Sequence, residues 1–255
     1  MASTTSNISP HINFIADLPK YKVEKPFTSH QSLTANPDLK EQKATDNVKL
    51  LSQSVNVSGM RGNENITLDR SGFCYIEHKS KYLPSSVISL DSTSLYRKET
   101  EELLASYFNA ELTFCYDVKL RKNSPGDYET YDPGHPLFVE QAAAFAHDVS
   151  PDTAPGELKR LMNEDQLKTY SQPGYRFRLI NTWKCLLPKC EDRPMAFCDY
   201  GSVNMHDLLA ADRVRSATRR KEIFCPHTSV DNPSAPTDAP SRESVETRTL
   251  VITKM

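Results

Sequence analysis

Asp148, His227 and Arg242 lie far apart in the chain, and their types and order suit a metal-centred oxidation site. Carboxylate and imidazole are ordinary ligands of non-haem iron. An arginine fork after the late histidine suits the paired oxygens of a 2-oxoglutarate carboxylate. The facial triad that holds such iron takes three protein ligands. On a strand two of them must stand at i and i+2, because alternate side chains share a face. Position 146, two before Asp148, is alanine. His147 is Asp148's direct neighbour, and on a regular strand the two point to opposite faces. A β-bulge turns His147 to the side of Asp148; without one it is a surface or packing residue. Asp148 and His227 therefore have several readings. They are ligands of an iron site completed by His147 or another residue, a carboxylate–imidazole pair for general acid–base work, or an inert remnant.

The elements that must position these residues read as mostly β. Tyr175-Arg-Phe-Arg-Leu-Ile-Asn-Thr-Trp183 is the strongest strand, and Val245–Ile252, Leu112–Tyr116 and Met195–Phe197 are others. Ile66–Leu68 and Phe73–Ile76 alternate between glycine turns and predict a hairpin. A Ser/Thr cap at 92–94 predicts a helix through Leu95–Phe108 that ends at Asn109. Ser150-Pro-Asp152 predicts a second helix through Glu157–Met162. The stretch from Glu140 to Ala146 has helical propensity. Residues 212–223 are basic and polar and read as a solvated face. Residues 1–55 read either as an extended arm, shaping a pocket entrance or a homodimer contact, or as a partly disordered leader. Residues 56–255 form the remaining single domain. No strand–helix alternation with a glycine-rich turn is present, which argues against a Rossmann or P-loop protein. The expected fold is mainly β with flanking helices, a double-stranded β-helix (jelly roll).

Composition narrows the function classes. The 255 residues carry a net charge of −2, so no basic field predicts nucleic acid. No apolar run reaches a membrane span, and the first residues lack the basic and apolar regions of a secretory signal. A cytoplasmic protein is expected. Six scattered cysteines fit neither a disulfide scaffold nor a zinc finger.

Four stretches resemble a fungal secondary-metabolism hydroxylase/desaturase family that includes gibberellin-desaturase-like proteins. They are Met60-Arg-Gly with Leu68-Asp-Arg-Ser-Gly-Phe73, Arg178-Leu-Ile-Asn181-Thr-Trp183-Lys184, Pro194-Met-Ala-Phe-Cys-Asp199 through Val203, and Pro226-His227 through Arg242-Glu-Ser-Val-Glu246-Thr-Arg248. The resemblance runs over most of residues 12–255. It implies a non-haem iron/2-oxoglutarate oxygenase scaffold. Asp148 and His227 match the family's ligands and Arg242 its late arginine. Asn181 and Trp183 match the pocket strand, where Lys184 stands in place of the usual arginine. It also wants a strand, not a helix, before Asp148. Only the residues from Asn204 to Cys225 intervene where relatives carry an aromatic hairpin and a further strand. Either the jelly roll has lost a hairpin or the sequence comes from a shortened gene model.

With position 146 lacking its ligand, the expectation is a metal-independent enzyme without a cofactor. Members of hetero-Diels–Alderase character act in tropolone-sesquiterpenoid pathways, by dehydration to a quinone methide and cycloaddition to a polyene. Asp148, His227 and Arg242 are the expected catalytic residues. Arg176, Asn181, Trp183 and Lys184 are expected to line the pocket for a small-molecule substrate, a hydrophobic polyene with an aromatic or tropolone-like component. The alternatives are an oxygenase using Fe(II) and 2-oxoglutarate and a non-catalytic binding protein.

Overall fold

The computed structural model describes residues 9–29, 47–82, 89–123, 139–140, 148–149, 154–216, 219–224, 227–229 and 235–255. At 28–29, 140, 148–149, 205, 213–216, 219–224 and 227–229 the description is of the backbone. In chain order the elements are β1 (His11–Ile15), β2 (Phe27–Ser29), β3 (Leu50–Ser54), α1 (Leu68–Ser71), α2 (Leu90–Phe108) and β4 (Leu112–Lys122). They continue with β5 (Val139–Glu140), β6 (Asp148–Val149), α3 (Ala154–Leu161), α4 (Glu164–Tyr170) and β7 (Tyr175–Cys185). The last are β8 (Met195–Phe197), β9 (Ala211–Ser216), β10 (Arg219–Phe224), β11 (His227–Ser229) and β12 (Glu243–Lys254).

The chain divides into two compact units, one from Met1–His78, Ala142–Ser150 and Glu191–Pro240, the other from Lys79–Gln141, Pro151–Cys190 and Ser241–Met255. The second unit holds a four-stranded sheet in the order β5-β4-β12-β7. β12 runs antiparallel to both β4 and β7. As the central strand it is buried almost throughout, and Val245, Leu250, Val251 and Ile252 have no exposed surface. Burying side chains of this size stabilises by about 2 kcal/mol each.

One sheet face carries Val245, Thr247, Thr249 and Val251 and packs on α2. That helix begins where Ser89 and Ser92 form a reciprocal capping box, and it ends at Asn109 in the left-handed region at φ 48°. Its start lies a turn earlier than the Ser/Thr cluster at 92–94 suggested. Tyr96 of α2 joins Cys115, Val118, Leu120, Leu186 and Val245 in one apolar cluster. Two hydrogen bonds lie beneath it: the Thr182 and Thr247 hydroxyls are 2.6 Å apart, and Thr100 donates to the Tyr96 carbonyl at 2.9 Å. On the opposite face, the C-terminal half of β12 is covered by α3 and α4. Leu250 and Ile252 there pack with Met162, Leu158, Leu161, Leu167 and Tyr170.

The first unit is made of smaller sheets: β1-β3, β2-β9-β10-β6 and β11-β8. β1 and β3 pair antiparallel from His11↔Ser54 to Ile15↔Leu50. Asn47 ties this region together, its side-chain oxygen accepting the Phe27 N–H at 2.7 Å while its own carbonyl accepts from the Tyr21 hydroxyl at 3.0 Å.

Two sequence expectations change. Residues 66–76 form no hairpin. The Thr67 side chain accepts the Arg70 N–H, and Gly72 at φ 81° closes the short helix α1. A local cap on one side and a left-handed glycine on the other outweigh the alternation. Residues 211–224 do form a hairpin, β9 antiparallel to β10, with a register shift between Arg219 and Arg220. The segment expected to lack a hairpin thus holds two paired strands, and the basic run lies on them. The Glu140–Ala146 reading falls largely outside the described residues, with β5 reaching Glu140. The residues expected to cap α3 also fall outside them.

Candidate functional site

Strand alternation sorts the candidate residues of the second unit. Register pairs Glu246 with Trp183 on one side and Lys119 on the other, Arg248 with Asn181 and Asp117, and Ser244 with Cys185 and Arg121. Directly paired residues share a face, so all nine stand on the face that carries Leu250. α3 and α4 cover only the Leu250–Ile252 half of that face, and its other half is polar. Arg242 enters on the same side, just before β12. Arg176 and Lys184 pair with Thr253 and Val245 and stand on the α2 face instead.

Among the described residues Arg242 is the largest fully buried side chain, at 1% exposure. Its guanidinium carbon lies 5.9 Å from the centroid of the Trp183 ring. The backbone there is firmly held: the Arg242 carbonyl accepts the Asn123 N–H at 2.9 Å and the Glu243 carbonyl accepts the Leu186 N–H at 2.9 Å. Beside it, the buried Ser244 hydroxyl and the buried Trp183 indole N–H have no hydrogen-bond partner among the described residues. Buried polar atoms are normally paired. A guanidinium with a hydroxyl and an indole N–H on one face is a donor-rich set suited to a carboxylate, the group that 2-oxoglutarate would present.

Further along this face an ion network fixes the floor. Glu246 accepts from Arg121 at 3.0 Å and from Arg248 at 3.2 Å, and Arg248 reaches Asp117 at 3.4 Å. For Arg248 burial disfavours the charge, but Glu246 and Asp117 outweigh it and raise the pKa. Tyr116 sits at the register shift between β4 and β12, with Arg160 over its ring at 5.4 Å. Burial raises its pKa, opposed by Arg248. Nothing local in the sequence marks this network, because Asp117, Arg121 and Glu246 meet only through cross-strand register. Ser244 did carry a signal: it stands two residues after Arg242, the spacing that shares a strand face.

Asp148 and His227 belong to the first unit, and the structure describes their backbones. Asp148 pairs with Phe224, which precedes His227 by three positions. Chain reach therefore holds the two backbones within roughly 16 Å. His227 pairs with Phe197, whose ring stacks on Phe73 at 5.1 Å. Ala146 and His147 lie outside the described residues. Among the described residues no group of three His, Cys, Asp or Glu side chains is placed to hold a metal ion. As iron ligands Asp148 and His227 are of the right chemical kind, and alanine at 146 offers no donor at the position two before Asp148.

A family model described as "YDMC: Oxidoreductase/YMDC permease-like domain" matches residues 12–224 and 214–252. The chain belongs to this family. Among the described residues of this oxidoreductase-like protein no helix is long and apolar enough to cross a membrane. No curated protein sequence matches the chain. Solved structures do. A single-residue variant of the iron and alpha-ketoglutarate-dependent endoperoxidase NvfI matches with a TM-score of 0.79 at 18% identity, covering 100% of both chains. The same endoperoxidase in a different conformation matches at 0.77 and 19% identity, over 99% of this chain and 100% of that one. A further NvfI structure matches at 0.76 and 18%, over 98% and 99%. The fold of this family member is thus the mainly antiparallel jelly roll of a 2-oxoglutarate oxygenase. These neighbours overturn the expectation of an enzyme without a cofactor, since the enzymes that share the fold depend on iron and alpha-ketoglutarate.

Proposed function

We propose that this chain is an enzyme that transforms a small apolar metabolite and holds 2-oxoglutarate, or a dicarboxylate of the same shape, against Arg242. The supporting observation is the buried Arg242 guanidinium over Trp183, with the Ser244 hydroxyl on the same sheet face. A guanidinium offers paired N–H donors in the plane of a carboxylate. The Glu246, Arg121 and Arg248 network stiffens the strands that carry this anchor, so it is set before the ligand arrives. Bound iron with 2-oxoglutarate would supply oxidation of a substrate C–H bond by dioxygen, giving hydroxylation or desaturation. With alanine at 146, His147 or another residue would have to supply the third ligand beside Asp148 and His227.

That alanine favours a second reading, a redox-neutral dehydration and hetero-Diels–Alder cyclisation. In it Arg242 holds an acidic or enolised substrate, and loss of the substrate hydroxyl as water precedes the cycloaddition. Orientation of the two reacting ends supplies much of the rate.

The test is a calorimetric titration of anaerobically purified protein with 2-oxoglutarate, followed by turnover with Fe(II), dioxygen and a hydroxymethyl-tropolone/polyene pair. Binding and succinate formed in step with an oxidised product support the first reading. A dehydrated adduct formed without succinate supports the second. No 2-oxoglutarate binding by the wild-type protein removes the first.

A further inference from the structure

We propose that the Trp183 indole N–H is a hydrogen-bond donor to the carboxylate held by Arg242, which makes this tryptophan a co-substrate-positioning residue. This rests on the reading that a carboxylate occupies the Arg242 anchor. An indole nitrogen is a donor only, and a buried donor without an acceptor is costly in a folded protein. The Trp183 nitrogen is in that condition among the described residues, and so is the Ser244 hydroxyl. Both lie on the face of the sheet that Arg242 enters. Ser244 pairs with Cys185 and Trp183 with Glu246, which makes Ser244 and Trp183 diagonal neighbours, roughly 7–8 Å apart at the backbone.

The ring geometry separates this role from plain packing. The guanidinium sits over the ring face at 5.9 Å, at the outer limit of a cation–π contact. The N–H points out of the ring edge, in the ring plane, and so cannot be satisfied by that cation. A carboxylate held by the guanidinium can turn one oxygen to the indole N–H, with the serine hydroxyl as a further donor. All three partners donate. The site should therefore prefer an ionised carboxylate and discriminate against the corresponding primary amide, whose NH2 would face a donor.

Trp183 is the one tryptophan in the chain, so the wild-type protein reports directly on it. In a 15N–1H correlation spectrum its indole resonance should shift downfield as 2-oxoglutarate saturates the protein. Trp183→Phe keeps a ring beneath Arg242 and loses the donor. We expect its dissociation constant for 2-oxoglutarate to rise about five- to thirtyfold with its melting temperature unchanged, and the amide 2-oxoglutaramate to bind both proteins equally weakly. An unmoved indole resonance at saturation, or full affinity in Trp183→Phe, overturns the inference while leaving the anchor reading intact. Absence of binding to wild type overturns both. If Trp183→Phe does not fold, the wild-type resonance decides alone.

Discussion

Arg242 and Trp183 meet face to ring across the β12–β7 ladder, with the guanidinium carbon 5.9 Å from the ring centroid. Neither residue is near the other in sequence: Trp183 stands on β7, and Arg242 directly precedes the buried strand β12 that pairs with it. The contact therefore has little freedom to relax when one partner is altered. Arg242→Lys replaces a planar fork with a point charge on a flexible stem. We expect at least a tenfold loss of 2-oxoglutarate affinity, read by calorimetry and by the emission of Trp183.

Ser244 gives a prediction of opposite sign for stability and binding. Its hydroxyl is buried and has no partner among the described residues. Ser244→Ala removes an unsatisfied group, so the ligand-free protein should unfold at equal or higher urea, by up to about 1 kcal/mol. Affinity for 2-oxoglutarate should fall severalfold in the same variant. Loss of stability together with unchanged affinity would contradict the placement of Ser244 at the anchor.

Glu246 neutralises two arginines at 3.0 and 3.2 Å. Glu246→Gln leaves Arg121 and Arg248 facing a neutral amide in a largely buried setting. The expected cost is about 2–4 kcal/mol by urea denaturation. Asp117 remains beside Arg248 and limits the damage.

Tyr96 titrates out of the usual range. Burial, helped by Glu99, pushes its pKa from 10.0 to about 12. A raised folded-state value means the neutral phenol is favoured by folding. The stability it contributes is whole below pH 10 and is lost as pH rises toward 12. Unfolding free energies from urea melts across pH 9–12 should fall by roughly 2–3 kcal/mol more in wild type than in Tyr96→Phe.

Gly72 closes α1 at φ 81°, and a Cβ there would meet the Tyr200 Cβ at 3.6 Å, an ordinary contact. The cost of Gly72→Ala is then conformational rather than steric. It should be about 1 kcal/mol, measured by thermal melts, with ligand affinity unchanged.

Much of the fold can be read along the chain because the forces that select it are local. The alternation at 175–183 and 245–252 marks the two strands that flank the anchor, and Asn109 marks the end of α2. The signal fails where pairing, not propensity, decides. Arg213, Lys221 and their neighbours carry no strand-like apolar pattern, yet each finds a cross-strand partner in the β9–β10 hairpin. Conversely, the residues around Thr67 and Gly72 alternate like strands, and a capped turn takes them.

The candidate site divides the same way. Sequence alone named Asp148, His227, Arg242, Asn181 and Trp183, and showed that alanine holds position 146. Those are facts of residue type, spacing and resemblance. Tertiary structure decided which of them share a surface. The β12–β7 register sets Ser244, Trp183 and Asn181 on the face that Arg242 enters and turns Arg176 and Lys184 to the other. It also gathers Asp117, Arg121 and Glu246 into a network that no stretch of sequence announces. A register is a choice among long-range pairings, and a slip of one residue would exchange the two faces.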